Sequence, residues 1–154
     1  RPCARFAAAP QVTRWTVSTM IAVDSSVLID MLIDDPVHAE ASLACIEEAL
    51  GIDDVVVCEA VVAEVQAMLD TSVNLMDTLG GLGVRFEAIT ETSAMRAGHM
   101  NKRFRARGGK RERVVADFLI GAHALLQSSA LITRDGSFFR DYFKGLKVIV
   151  PKAS

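Results

Sequence analysis

Four acidic residues have positions that are typical of chemistry rather than of a solvated surface. Asp24 and Asp135 stand where two apolar, strand-like runs end. Asp117 falls in the first turn of the helical segment that leads into the second of these runs. Glu64 lies inside an apolar helical segment, where an unpaired carboxylate is costly to bury. If the fold brings these four carboxylates together, they form a strongly anionic site.

Such a site predicts a bound cation. Carboxylates that share a site repel one another and have raised pKa values unless a positive charge neutralises them. Their oxygen atoms suit Mg²⁺ or Mn²⁺, and a site of this kind activates water for attack on a phosphodiester. Each acid also has an ordinary explanation that spacing alone leaves open. Asp24 is a possible helix N-cap, Glu64 an exposed or Arg-paired residue, Asp117 a favourable charge at a helix start, and Asp135 a turn acid.

The segments that must position these acids alternate between strand and helix. Strands are predicted at 20–23, 55–58, 84–89, 130–133 and 147–150. Helices are predicted at 25–33, 38–50, 60–69, 71–79, 90–107, 114–128 and 138–143, with the fourth helix closed by Gly80-Gly81. This alternation indicates an α/β fold with a mostly parallel sheet and helices on both faces. Ligands bind beyond the carboxyl ends of the strands in such folds, where Asp24 and Asp135 lie.

The composition is that of one globular domain. The chain has 154 residues, of which 51% are hydrophobic, and this excludes a disordered protein. No run approaches the roughly 18 apolar residues of a membrane span. Residues 1–19 contain three arginines and no acid. We interpret them as a leader or a segment outside the natural chain, expected to be disordered, rather than as a targeting peptide. The domain is then 20–151, with 152–154 as a tail, and the three scattered cysteines fit a reducing cytoplasm.

The charge is unevenly distributed. The net charge is −2, which by itself argues against a nucleic-acid partner. However, residues 102–113 contain one acid and seven basic residues, namely Lys102, Arg103, Arg105, Arg107, Lys110, Arg111 and Arg113. The rest of the chain has 10 basic and 18 acidic residues, a net charge of −8. The basic run is either a solvated face or an RNA-binding surface, and its position directly before the Asp117 helix favours the second.

Four sequence blocks together resemble the PIN-domain ribonucleases, most closely the VapC-type toxins of toxin–antitoxin pairs. The blocks are IAVDSSVLI at 21–29, VVAEV at 61–65, VADFLIGAHA at 115–124 and LITRDGSFF at 131–139. The resemblance implies a three-layer PIN-like fold with a five-stranded parallel sheet. It also implies a metal site of three or four acids, which by motif position are Asp24, Glu64, Asp117 and Asp135. Ser26 and Thr133 match supporting polar positions.

The resemblance further implies a function. It indicates an Mg²⁺- or Mn²⁺-dependent endoribonuclease in the cytoplasm, with RNA as substrate, a small antitoxin that covers the site, and a homodimeric state. Ser137 stands where many relatives carry a further acid, and this departure favours one metal ion over two. The pattern selects Glu64 as the ligand on its helix, whereas Glu59 is predicted to start that helix.

Two other classes of function stay open at this point. A phosphatase or phospho-acceptor domain would use Asp24 as its nucleophile, although Ser26 stands where one such class needs an acid. A non-catalytic PIN-like module would bind RNA or a protein without cleaving it. Four intact acids argue against this second class, because a binding module has no need of a repulsive cluster.

Overall fold

The computed structural model describes residues 19–110 and 113–153. Its strands are β1 (Met20–Val23), β2 (Asp54–Val57), β3 (Arg85–Phe86), β4 (Ala130–Ile132) and β5 (Val148–Ile149). Its helices are α1 (Ser25–Leu32), α2 (Ala39–Leu50), α3 (Glu59–Gln66), α4 (Leu75–Leu82), α5 (Glu91–Ala106), α6 (Val115–Gln127) and α7 (Gly136–Tyr142). The interpretation of 1–19 as a leader concerns residues that, apart from Thr19, lie outside the described ranges, as does Arg111.

The five strands form one parallel sheet in the order β3-β2-β1-β4-β5. Ile21 of β1 lies between Val55 of β2 and Ala130 of β4. From β1 the chain first builds the sheet in one direction, through β2 to β3, and then returns to the other side of β1 with β4 and β5. The reversal creates a crevice at the carboxyl ends of β1 and β4, which is where ligands bind in sheets of this kind.

Helices cover both faces of the sheet, as predicted. Val55, Val56 and Val57 are fully buried, and successive side chains of a strand point to opposite faces. A strand buried on both faces needs helices on both, which is the three-layer arrangement of α/β proteins. The predicted α/β class and five-stranded sheet are therefore confirmed.

A cluster of aromatic rings joins the helices that carry the second half of the predicted site. The rings of Phe104 in α5 and Phe118 in α6 lie 5.5 Å apart, and that of Phe138 in α7 lies 5.7 Å from Phe118. Edge-to-face contacts of this kind add about 0.5–1.5 kcal/mol per pair to the burial of the rings. The packing fixes the starts of α6 and α7, and therefore the backbone at Asp117 and Asp135.

The fourth helix is the clearest departure from the sequence prediction. It was expected at 71–79 with Gly80-Gly81 as its end, but α4 begins at Leu75 and continues through both glycines. The side chain of Asn74 caps its start by accepting hydrogen bonds from the backbone N–H groups of Met76 and Asp77. The helix ends at Gly83, whose φ of +91° suits the left-handed conformation of a C-cap glycine. The stronger start and stop signals lie a few residues further along.

No helix in the described ranges is long and apolar enough to cross a bilayer.

Candidate active site

Asp24 follows β1 directly and is 6% exposed. Its backbone N–H donates to the carbonyl oxygen of Ile132 at 2.9 Å, which continues the pairing of β1 with β4. Asp24 holds the N-cap position of α1, but its side chain makes no capping hydrogen bond. The carboxylate therefore does not cap the backbone N–H groups of α1 and is available to other donors.

Two hydroxyl groups hold the Asp24 carboxylate in place. Its Oδ2 accepts hydrogen bonds from Ser26 Oγ at 2.8 Å and from the buried Thr133 Oγ1 at 2.7 Å. Each hydroxyl also accepts a backbone N–H, that of Arg134 at Ser26 and that of Asp135 at Thr133. Both residues predicted to support the site thus connect the end of β1 to the segment between β4 and α7.

Glu64 reaches the same region from α3. The Ser25 hydroxyl donates to its Oε2 at 2.7 Å, so Glu64 is linked to the residue next to Asp24. Burial raises the pKa of Glu64, and the charges of Asp24 and Asp117 raise it further, while the Ser25 hydrogen bond opposes the shift. Glu64 is therefore not a freely exposed helix residue, and it forms no salt bridge with an arginine of residues 19–110 and 113–153.

Asp117 combines a structural and an electrostatic role at the start of α6. Its Oδ2 accepts a hydrogen bond from the backbone N–H of Val114 at 3.1 Å, which is one half of a capping box. Burial raises the pKa of Asp117, and the charges of Asp24 and Asp135 act in the same direction, against the effects of Val114 and Arg113. Asp117 does lie at a helix start, where its ordinary explanation placed it, but a favourable helix position does not account for the acids that raise its pKa.

Arg113 lies between Asp117 and Asp135 and pairs with both. Its Nη1 is 3.7 Å from Asp117 Oδ1, and its Nη2 forms a close ion pair with Asp135 Oδ2. The guanidinium carbon also lies 4.0 Å from the centre of the Phe138 ring, in cation–π contact. A positive group thus lies among the acids, at the point where repulsion between them would otherwise be uncompensated.

The four acids act as one electrostatic group whose chemistry fits a hard divalent cation. The charge of Asp24 raises the pKa of both Glu64 and Asp117, and all four side chains offer only oxygen donors. Within residues 19–110 and 113–153, no three His, Cys, Asp or Glu side chains are arranged closely enough to hold a metal ion. Binding of an ion would therefore require these side chains to close around it and Arg113 to leave Asp117 and Asp135.

The sequence model of the PIN domain family matches residues 21–144, which is most of the chain. The chain belongs to the PIN domain family. A comparison with curated proteins gave no significant match.

The PIN domain described here is also similar to solved structures. One is VapBC2 from Rickettsia felis bound to a promoter DNA fragment, with a TM-score of 0.66 and 14% identity over 86% of this chain and 98% of that one. Another is VapBC-1 from nontypeable Haemophilus influenzae, with a TM-score of 0.63 and 18% identity over 86% of this chain and 98% of that one. A third is a toxin–antitoxin complex from Klebsiella pneumoniae, with a TM-score of 0.62 and 18% identity over 87% of this chain and 99% of that one. At these identities the similarity shows a shared fold.

One ion pair that sequence reasoning missed lies behind the site of this PIN domain. Asp30 of α1 is 1% exposed and accepts hydrogen bonds from the Ser42 hydroxyl at 3.1 Å and from Arg134 Nε at 2.8 Å. Arg134 lies between Thr133 and Asp135, so this ion pair attaches the segment between β4 and α7 to α1. The sequence signal for this ion pair is an acid on the side of α1 that also carries the buried residues Val27 and Leu28.

The predicted RNA-binding residues do not share one surface. Lys102, Arg103 and Arg105 lie on α5, Arg107 is the residue at which that helix ends, and Lys110 lies in the following loop. A groove of about 670 Å³ next to the acids is lined by Phe104, Arg105, Gly109, Lys110, Arg113, Val114 and Val115. Arg113 is the one cation of the run that touches the acidic site in the described ranges.

Two other titratable residues have structural roles. Glu59 starts α3, as predicted, and its carboxylate accepts a hydrogen bond from the backbone N–H of Ile89 at 2.9 Å. His123 is 1% exposed in α6, and its burial lowers its pKa. The expectation that His123 is a core or groove residue is consistent with this burial, and no further chemistry depends on either residue.

Proposed function

We propose that this PIN domain is a metal-dependent endoribonuclease and the toxin of a toxin–antitoxin pair. The proposal is supported by the electrostatic coupling of Asp24, Glu64, Asp117 and Asp135, whose charges raise the pKa values of Glu64 and Asp117, and by the guanidinium of Arg113 that pairs with two of them. An anionic group that already attracts a positive charge is suited to bind Mg²⁺ or Mn²⁺ through the same four carboxylates. When bound, such an ion activates water and stabilises charge on a scissile phosphate.

The remaining residues of the site have defined tasks in this proposal. Ser26 and Thr133 orient Asp24, because both hydroxyl groups donate to its Oδ2 and neither donates to its Oδ1. Ser25 orients Glu64. Arg113, once it has left Asp117 and Asp135, is close enough to receive a phosphate of the substrate through its planar donor groups. Since Ser137 adds no carboxylate, the site suits one ion better than two.

Ser26 weighs against the phospho-acceptor alternative. One class of phospho-acceptor needs an acid two residues after the nucleophile, whereas here Ser26 holds that position and its hydroxyl donates to Asp24 Oδ2. Incubation with a small phosphoryl donor, followed by mass spectrometry, would detect a phospho-aspartate adduct if that alternative were correct. We expect none.

The partners follow from the surroundings of the site. RNA is the proposed substrate because Arg105, Lys110 and Arg113 line the groove that adjoins the acids. The same groove exposes Val114 and Val115, each 53% exposed, so it also fits a protein segment that presents apolar and acidic side chains. We propose a small antitoxin as that partner, in line with the solved complexes of this fold. We also propose a homodimer, the commonest symmetric assembly, in the cytoplasm.

The central test is replacement of Asp24 by Asn. We expect Asp24→Asn to lower Mn²⁺-dependent cleavage of RNA by at least about 100-fold, the effect of losing one stabiliser of charge in a transition state. Circular dichroism and the melting temperature should show that the fold is retained. The matched control is Asp77→Asn, an exposed acid on α4, which should cleave like the parent protein. Full activity of Asp24→Asn would refute the assignment.

A further inference from the structure

A second basic groove lies beyond the acidic site and continues from it. A groove of about 430 Å³ includes Arg113 and Lys110 and extends to Arg107, Asp141 and Tyr142. The next groove, of about 300 Å³, is lined by Arg96, Met100, Arg103, Arg107, Asp141, Tyr142 and Lys144. The two grooves share Arg107, Asp141 and Tyr142 and are therefore adjacent. Together they lead from Arg113 at the acids to Arg96 on α5.

The arginines of this second groove form a stripe along α5. Arg103 and Arg107 follow Arg96 by seven and eleven residues. At about 100° per residue the three side chains lie within about 40° of one another, over about 16 Å of helix axis. Arg105 lies about 180° from Arg96 by the same reckoning, and Lys102 about 120°. The basic run of the sequence is therefore divided by the helix into a stripe and residues that point elsewhere.

The stripe is more positive than the basic run alone suggests. Arg96 precedes that run and Lys144 follows α7, yet both line the groove with Arg103 and Arg107. Asp141 is the acid among the lining residues, so the groove has a net charge of about +3. In residues 19–110 and 113–153 none of these four cations forms a salt bridge. Such a groove attracts a polyanion and can exchange its counterions for phosphates.

We propose that this stripe, Arg96, Arg103, Arg107 and Lys144, binds a single-stranded RNA segment that flanks the scissile phosphate. The inference rests on the proposed ribonuclease function. Its length of about 16 Å matches about five nucleotides at roughly 3.4 Å each, the spacing along one strand of a stacked helix. The half-buried Tyr142 lines both grooves, and its ring packs against those of Phe104 and Phe138, so it gives the stripe a fixed floor. The stripe thus assigns the substrate a direction of approach, along α5 to the acids.

The test measures binding without cleavage, in EDTA, with a fluorescently labelled uridine 12-mer. We expect the double variant Arg96→Gln with Lys144→Gln to weaken binding of the 12-mer about tenfold at low salt. Loss of two phosphate contacts should lower the slope of log affinity against log salt by about 1.4. Asp141→Asn, which removes the opposing charge, should strengthen 12-mer binding about threefold.

The control is the double variant Lys147→Gln with Lys152→Gln, which removes the same charge from two exposed lysines that line neither basic groove. If it weakens the 12-mer as much as the stripe variant does, net charge alone explains binding and the proposal is overturned. The proposal also fails if the stripe variant binds the 12-mer normally. It fails equally if the stripe variant loses affinity only for an Asp/Glu-rich 12-residue peptide, since the stripe would then be a protein interface.

The two proposals can fail separately. If the parent protein binds RNA through the stripe and cleaves none in Mn²⁺, the nuclease proposal fails and the stripe proposal stands. If the parent cleaves RNA in Mn²⁺ and the stripe variant binds and cleaves the 12-mer normally, only the stripe proposal fails.

Discussion

The four carboxylates of the site are held by two different kinds of partner. Asp24 and Glu64 accept hydrogen bonds from hydroxyl groups, which orient a carboxylate without cancelling its charge. Asp117 and Asp135 are bridged by the guanidinium of Arg113, which does cancel charge. A metal ion would therefore meet two acids that are ready to bind it and two that must first be released. Arg113 is the residue on which that release depends.

We expect Arg113→Gln to bind Mn²⁺ more tightly than the parent protein, because the ion no longer competes with the guanidinium for Asp117 and Asp135. The side chains of this ion pair are about one third exposed, so the gain should be that of a surface pair. About 0.4–1 kcal/mol corresponds to a two- to fivefold increase in affinity. Isothermal titration calorimetry with Mn²⁺, in the absence of RNA, measures it directly.

A general effect of charge must be separated from this competition. Arg107→Gln removes the same charge from a side chain that makes no salt bridge within the described ranges, and we expect its Mn²⁺ affinity to change less than twofold. Weaker Mn²⁺ binding by Arg113→Gln would mean that the arginine supports the metal site instead of competing with the ion.

At the scale of elements, the short segment between β4 and α7 determines the geometry of the site. It carries Thr133 and Asp135 on the side of the acids and Arg134 on the side of α1. Arg134 pairs with the buried Asp30, whose other hydrogen-bond donor is Ser42. The segment is therefore held from both sides, and the pair behind it acts on the site only through the backbone.

We expect Arg134→Ala to destabilise the protein by about 3 kcal/mol, since it leaves the carboxylate of Asp30 buried with only a hydroxyl partner. This is the lower end of the cost of breaking a buried pair, because the Arg134 side chain is 38% exposed. Urea denaturation measures the change. Arg85→Ala breaks the exposed pair with Asp54 and should cost less than about 1 kcal/mol. Equal effects of the two substitutions would contradict the structural role of Arg134.

Local signals predicted most of the elements, and they failed where two signals competed. The apolar runs gave β1, β2 and β4 to within a residue or two, and Thr90 caps α5 through Ser93 as its spacing indicates. For α4, Gly80-Gly81 predicts the end of the helix. A Cβ added at either glycine would contact nothing within 4 Å, and neither residue has a positive φ, so both fit within a helix. The helix continues through them and ends at Gly83.

The sequence nominates the residues of the candidate site, but it does not predict most of their pairings. Strand ends and a buried-looking acid pointed to Asp24, Asp135 and Glu64 because those positions are defined locally. The pair of Arg113 with Asp117 is local, since the two are four residues apart, but the pairs of Arg113 with Asp135 and of Arg134 with Asp30 join distant parts of the chain. Basic residues in one short run look alike in sequence, and only the fold decides that Arg113 faces the acids.

At the scale of the whole molecule, the net charge of −2 conceals two opposed regions. The four acids influence one another's charge near the ends of β1 and β4, while α5 and its neighbours present a basic stripe that a groove connects to Arg113. A nuclease needs both, because a metal requires anionic ligands and the phosphate backbone requires cations. The anionic region, however, must make the folded state less stable when no metal is bound.

Because the charged acids destabilise the metal-free fold, the free energy of unfolding should fall as pH rises and Glu64 ionises. Below the ordinary pKa of a glutamate, Glu64 is protonated whether the chain is folded or unfolded and contributes nothing. Because burial and the charges of Asp24 and Asp117 raise the pKa of Glu64 in the folded state, its ionisation destabilises the fold as pH rises through that interval. Above the raised pKa the full penalty is present. Glu64→Gln should remove it.

We therefore expect the metal-free Glu64→Gln protein to be more stable than the parent at pH 7 by about 0.5 kcal/mol. This is the low end for a stabilising charge substitution, since Glu64 is only half-buried and solvent screens it. The difference should shrink towards zero as pH falls to 4, in urea denaturation series measured in EDTA. Glu47→Gln, an exposed acid on α2, is the control and should show no such trend. A Glu64→Gln protein whose advantage grew towards acid pH would show that the carboxylate stabilises the fold, and would remove the electrostatic argument for a metal at this site.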